Sequence, residues 1–240
     1  MPESSSANQT KPTASQLREL TLRGCAAARD AAAAVAKEIA TGSAEALHVV
    51  RQSEEELDSL DRQMNEGVTA GIAGVSEAEA RELLSCLKFI LELERVGDLL
   101  LNVANRAHTV ASRIQAHDAA DLQHMARLLE QMLADAETAF RDRDLKRAIA
   151  ILRADTEMDR VRNLMFVRHI DNPEHQPRRE SFHLVFMSQT LERAGDHAKN
   201  MAEEVCQLVT GRSVRHLIRA ADKPFEEMFV DWMRRQTARK

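Results

Sequence analysis

Apolar positions along the chain repeat with the period of a helix. Leu47, Val50 and Leu57 form one such stripe, and Glu54 stands inside it where an apolar residue would be expected. The most apolar stretch, LLSCLKFILELERVGDLLLNVA, is interrupted by Glu94 and Asp98. No uninterrupted apolar run reaches the ~18 residues that would suggest a membrane span. Prolines fall at 2, 12, 173, 177 and 224, so residues 13 to 172 contain none. That stretch is dominated by Ala, Leu, Glu, Arg and Met, all good helix formers. Its breaks must come from glycine and short polar residues: Thr41–Ser43, Gly67–Gly74 (GVTAGIAG), Gln115–Asp118, Arg141–Asp144 (RDRD) and Asp171–Pro177, with Gly211 closing the series. The spacing predicts six helical segments near 15–40, 43–66, 76–114, 118–140, 144–171 and 178–210. Ser76 and Glu79 form a capping-box pattern at the third start. Short connections between long helices imply antiparallel neighbours in a bundle.

The six segments contain a duplication. Residues 94–102 read ERVGDLLLN and residues 192–200 read ERAGDHAKN, with Glu, Arg, Gly, Asp and Asn in the same places. On the second helix of each set, Glu54 to Asp58 corresponds to Asp155 to Asp159. The expected fold class is therefore all-α: two tandem three-helix bundles, residues 15–114 and 118–212. Residues 1–14, small and polar without the apolar core of a signal peptide, read as a disordered tail. Residues 213–240 form a C-terminal extension outside the duplication.

Composition narrows the function classes. The chain has 240 residues, a formal net charge of −5, eight glycines, no tyrosine and one tryptophan. Few turn and aromatic residues disfavour a sandwich or barrel. A mildly acidic balance is not that of a phosphate-tracking nucleic-acid binder, so no nucleic-acid partner is expected. Cys25, Cys86 and Cys206 stand far apart with no CxxC, which reads as reduced thiols in a cytoplasmic protein. There is no GxSxG, GxGxxG or phosphate-cradling glycine loop, and no nucleophilic triad can be argued, which disfavours an NTPase or dehydrogenase; the expectation, with the resemblance given below, is a non-enzyme.

The chemistry-bearing feature is acidic. Pairs spaced four apart occur once in each second and third helix: Glu54/Asp58, Glu94/Asp98, Asp155/Asp159 and Glu192/Asp196. Residues i and i+4 share a helix face, so adjacent antiparallel helices can bring together four carboxylates in each bundle. Like charges so placed repel. A bound cation offsets the repulsion, and oxygen ligands suit hard ions. Solvated acids on helices are common, and a lone ExxxD is a weak signal. Here the pattern interrupts apolar stripes and recurs in both repeats. Asn102 and Asn200 extend each face by one turn, either as ligands or as hydrogen-bonding groups across helices. Gly97 and Gly195, costly inside a helix, point to close approach of a neighbouring backbone or a ligand. Arg95 and Arg193 are the obvious structural partners for the acids.

A repeated ERxGDxxxN on a third helix, with E/DxxxD on the second, resembles the PhoU family over residues 15–217, most closely in LERAGDHAKNMAEEVCQLVTGRSVRHL. The resemblance implies two three-helix bundles whose carboxylates bind metal ions. The candidate ligands here are Glu54, Asp58, Glu94, Asp98, Asn102, Asp155, Asp159, Glu192, Asp196 and Asn200. The implied ion is a divalent or trivalent metal: Mg, Mn, Fe or Zn. It further implies a cytoplasmic negative regulator of phosphate uptake and phosphate-starvation signalling. Its expected partners are the ATPase of the phosphate ABC transporter, the phosphate-sensing histidine kinase and a second copy of the chain. This sequence departs from the family at GVTAGIAGVSEAEAREL, where a Gln-Pro-rich helix entry is usual, and in the extension 213–240.

The rival reading is a ferritin-like di-metal carboxylate oxidase or metal-storage bundle, which uses Glu-x-x-His pairs. Two such strings exist, Glu45/His48 and Glu180/His183, each in a first helical turn and off the acidic clusters. His197 neighbours the second cluster in sequence, and His108, His117 and His124 flank the connection between repeats. His197 is expected to face solvent or a helix neighbour, and solvated positions are expected for the other three. In the extension, Phe225, Met228, Phe229, Trp232 and Met233 fall on one helical face after Pro224, ahead of a basic end.

Overall fold

The computed structural model describes residues 13–170 and 179–211. It contains six long helices: α1 (Ala14–Thr41), α2 (Ala44–Gly71), α3 (Glu77–Val110), α4 (Ala116–Asp142), α5 (Leu145–His169) and α6 (Arg179–Thr210). Among the described residues there is no strand. The helix starts are chemically marked. Thr13 with Gln16 and Ser76 with Glu79 form reciprocal capping boxes, and the Asp144 side chain accepts from the backbone of Lys146 and Arg147. The matching stops of α1 and α4 are left-handed residues, Gly42 (φ 63°) and Arg143 (φ 57°). Arg143 bears a steric cost that glycine avoids. Its guanidinium pairs with Glu82 of α3 and lies 5.1 Å from the centre of the Phe140 ring.

Several helix limits differ from the sequence expectation, among them α4 ending at Asp142 rather than 140 and α5 at His169 rather than 171. α2 continues past residue 66 to Gly71, because Gly67, Val68 and Gly71 are buried and tertiary packing outweighs the poor helix propensity of glycine. α3 stops at Val110, and the chain tightens into a short 3-10 turn, Ala111–Arg113, rather than staying α-helical to 114. α4 starts at Ala116, two residues before the expected 118. The tail before Thr13 and the extension 213–240, with its apolar stripe, lie outside the described residues.

Helices α1, α2 and α3 pack on one another, as do α4, α5 and α6, and the two bundles join through α1 against α4 and α3 against α6. α2 and α5 therefore lie at opposite flanks. The alanine-rich face of α1 (Ala27, Ala28, Ala31, Ala32, Ala34, Ala36) is buried, and its small side chains let α1 lie close against its neighbours. Across the junction Arg29 pairs with Glu137 at 2.7 Å, and the Ser85 hydroxyl donates to Glu204 at 2.6 Å. The fully buried rings of Phe89 and Phe140 meet with centroids 4.5 Å apart. One continuous apolar core runs through both bundles.

Candidate metal centre: two carboxylate grooves

The α2–α3 groove carries the first set of acids. α3 lies close against α2 at Gly97, where an added Cβ would sit 2.7 Å from Cδ1 of Leu57 and 3.8 Å from the Glu54 Cα. The glycine thus sets the helix spacing at the level of the carboxylates, and its neighbour is packed protein. Glu54 and Glu94 are half-buried, and Asp98 is exposed. Burial pushes the Glu54 carboxyl above the usual glutamate value, and the negative charges of Asp58, Asp98 and Glu55 add to the rise. Burial raises Glu94 in the same way. Asp98, Asp61 and Asp58 add to it, and Arg95 partly offsets them. Arg95 reaches Glu94 at 3.3 Å from a largely exposed position, so water screens it. The acids of the two helices therefore share one field, concentrated and poorly neutralised. Asp61, a fifth acid of this groove, was not among the residues singled out in the sequence.

In the α5–α6 groove Lys199 Nζ lies 2.5 Å from Asp155 Oδ2 and 3.9 Å from Asp196 Oδ1. Arg162 Nη2 lies 3.5 Å from Asp159 Oδ1 and 3.5 Å from Glu192 Oε1. Asp155 is buried. That burial raises its carboxyl, with Lys199 working in the opposite direction. Burial disfavours the Lys199 ammonium, but hydrogen bonding to Asp155 outweighs it and holds the ammonium above the ordinary lysine value, so the cation is charged at neutral pH. Burial and Asp196 push Glu192 up, and Arg162 pulls it back. Gly195 is less confined than Gly97: the nearest atoms to an added Cβ are Met158 Cε at 3.4 Å, Met158 Cγ at 3.6 Å and Met132 Cε at 3.7 Å, ordinary contacts to flexible side chains.

Among the described residues, no three His, Cys, Asp or Glu side chains converge on a point where a metal would sit. The oxygen-only donor set of the α2–α3 groove fits a hard cation in kind, and closing around one requires its carboxylates to turn inward. Asn102 accepts from Arg106 Nε at 3.0 Å, and Asn200 donates across the bundle junction to Glu92 at 3.2 Å. Both asparagines are therefore engaged with residues other than the candidate ligand acids. His197 also faces Glu92, at 2.6 Å. His108, His117 and His124 each face an acid rather than one another: Glu38 at 2.9 Å, Asp118 at 3.3 Å and Glu157 at 3.1 Å. In the Glu-x-x-His strings, Glu45 lies 3.9 Å from Lys37 and Glu180 lies 3.1 Å from Arg113, on helices of different bundles, which gives the oxidase reading no support. The three thiols are free and buried. Burial pushes Cys86 up to about 11 and Cys206 up to about 12, and raises Cys25 further, so none offers a thiolate at neutral pH.

The duplicated helix trios, each with its own acidic groove, match a known domain twice: the family model described as "PhoU domain" covers residues 23–107 and again 122–205. The chain belongs to the PhoU family. A PhoU homolog of Rhizobium meliloti, described as a phosphate-specific transport system accessory protein, is 32% identical over 160 residues, 65% of this chain and 68% of the relative. A protein of the same description from Pseudomonas aeruginosa is 28% identical over 173 residues, 70% of this chain and 72% of that protein. The fold agrees with the crystal structure of PhoU from P. aeruginosa (TM-score 0.75, 21% identity, 82% of this chain and 97% of that one). It agrees as well with the phosphate transport system regulatory protein PhoU from Streptococcus pneumoniae (TM-score 0.72, 19% identity, 84% and 97%). Two PhoU domains thus stand in tandem in one all-helical chain. Among the described residues no helix is long and apolar enough to cross a membrane.

Proposed function

We propose that this protein is a regulator of phosphate transport and phosphate-starvation signalling, working in the cytoplasm on the phosphate transporter's ATPase and on the phosphate-sensing histidine kinase, and not a catalyst. The observation that supports this most is the match of both repeats to the PhoU domain, together with relatives described as accessory proteins of phosphate-specific transport. A regulator of this kind acts by binding one conformation of its partner more tightly than another. The α2–α3 groove is its cation site: Glu54, Asp58, Glu94 and Asp98 are the ligands, with Asp61 adding to the attraction. A hard divalent or trivalent ion held there would relieve the repulsion among those acids and fix α2 against α3.

Two experiments test the reading. Affinity-tagged protein expressed from its own locus is expected to co-purify with the transporter ATPase or the sensor kinase, and a deletion strain is expected to express phosphate-starvation genes in phosphate-rich medium. Normal repression in the deletion strain, with neither partner captured, would overturn the regulatory role. For the cation, Glu54→Gln with Glu94→Gln is expected to weaken Mn2+ binding by more than about tenfold. Unchanged affinity would remove the groove from the proposal.

A further inference from the structure

The duplication allows the two grooves to be compared position by position. Matching Glu54 to Asp155 pairs Asp61 with Arg162, and matching Glu94 to Glu192 pairs Leu101 with Lys199. At these two positions the repeats differ in charge, and both positions lie beside the carboxylates. We infer that the grooves have parted in function: the α2–α3 groove takes its cation from solution, whereas Lys199 and Arg162 stand in the α5–α6 groove as built-in cations, so the second groove binds no metal. The inference rests on the cation reading proposed for the first groove.

The geometry carries it. Lys199 reaches Asp155 of α5 and Asp196 of α6; Arg162 reaches Asp159 of α5 and Glu192 of α6. Each acid of the groove thus has a cationic partner, and each cation bridges the two helices, which is the mechanical task of a shared metal ion. The Lys199 side chain is 29% exposed and Asp155 only 10%, so this pair is sheltered from solvent. A divalent ion entering here would have to displace an ammonium already seated on the most buried carboxylate, in the field of a guanidinium that cannot deprotonate. In the first groove the corresponding positions hold a further acid and an aliphatic side chain. Of its five acids, Glu54, Asp58, Asp61, Glu94 and Asp98, Glu94 alone has a cationic partner among the described residues, Arg95, and that arginine is 67% exposed. The carboxylate motif is repeated in both halves, but only one half leaves its charge open.

The test uses the full chain and Mn2+ as the probe, with free Mn2+ followed by electron paramagnetic resonance and the fold checked by circular dichroism. Glu54→Gln with Glu94→Gln is expected to weaken Mn2+ binding by more than about tenfold, and Asp155→Asn with Glu192→Gln to leave it within about twofold. Giving the second groove the residues of the first (Arg162→Asp with Lys199→Leu) is expected to create an additional Mn2+ site. If that double change does not fold, the reverse exchange in the first groove, Asp61→Arg with Leu101→Lys, serves instead and is expected to abolish binding. Mn2+ bound by both grooves of the unmodified protein would overturn this inference and leave the cation reading standing. Binding by neither groove, with none gained in the exchanged variant, would overturn both.

Discussion

The α2–α3 and α5–α6 grooves descend from one pattern and solve its electrostatic problem in opposite ways. Each places acids four apart on two antiparallel helices, with a glycine at the crossing. One leaves them to raise each other's affinity for protons, and the other inserts a lysine and an arginine among them. The contrast teaches that a conserved-looking ligand motif within one chain does not define a binding site. On this reading, the residues three positions after each acidic pair, Asp61 and Leu101 in one groove and Arg162 and Lys199 in the other, decide whether the site is open.

The comparison is broken most forcefully at Lys199. Lys199→Leu strands the buried Asp155 and is expected to cost about 2–3 kcal/mol in urea denaturation without added metal. The converse Leu101→Lys, which brings a cation to an unneutralised groove, is expected to stay within about 1 kcal/mol of the parent. Equal losses in the two variants would show that the second groove gains nothing from its lysine.

The glycines sharpen the same contrast. Gly97→Ala forces Leu57 aside and is expected to destabilise by about 1–2 kcal/mol despite better helix propensity. Gly195→Ala, against yielding methionine side chains, is expected to be neutral or mildly stabilising. The melting temperatures of the two variants check this directly.

Smaller still is the effect of neutralising acids. Glu54→Gln with Glu94→Gln is expected to stabilise the metal-free protein by up to about 1 kcal/mol, since both carboxyls are raised by burial and by like charges. An acid whose folded value is raised binds its proton more readily in the native state. Its contribution is therefore favourable below the usual carboxylate range and is lost as pH rises through the raised value. The variant's advantage over the parent should accordingly be present at pH 7 and shrink toward pH 4. An advantage that grows on acidification would contradict the sign. In the second groove, Asp155→Asn with Glu192→Gln removes partners of Lys199 and Arg162, and no such gain is expected there.

The helical class, the duplication and most element limits could be read from the chain because they rest on local signals. A long proline-free stretch, capping residues and a nine-residue repeat all survive without knowledge of packing. The end of α2 could not, since nothing local distinguishes a breaking glycine from Gly67 and Gly71, which are held helical by burial. Glu54, Glu94 and Asp98 of the first groove stand out as interruptions of apolar stripes, and the acids of the second groove by repeating that pattern. Asp61, Arg162 and Lys199 carry no mark in the positions where the repeats agree. The signal lay in the columns where they differ, at the same offsets. The engagement of Asn200 and His197 with Glu92 was not legible, because it depends on how α3 meets α6 across the junction.

The buried Phe89–Phe140 contact and the core that continues past it have a consequence for how the molecule comes apart. Two bundles strung together independently would melt as two events, and either could be excised as a working fragment. Here, opening one repeat would bare the inner faces of α1 and α3, or of α4 and α6, on the other. The duplicated halves should therefore live or die as one thermodynamic unit, with a calorimetric enthalpy equal to the van't Hoff value.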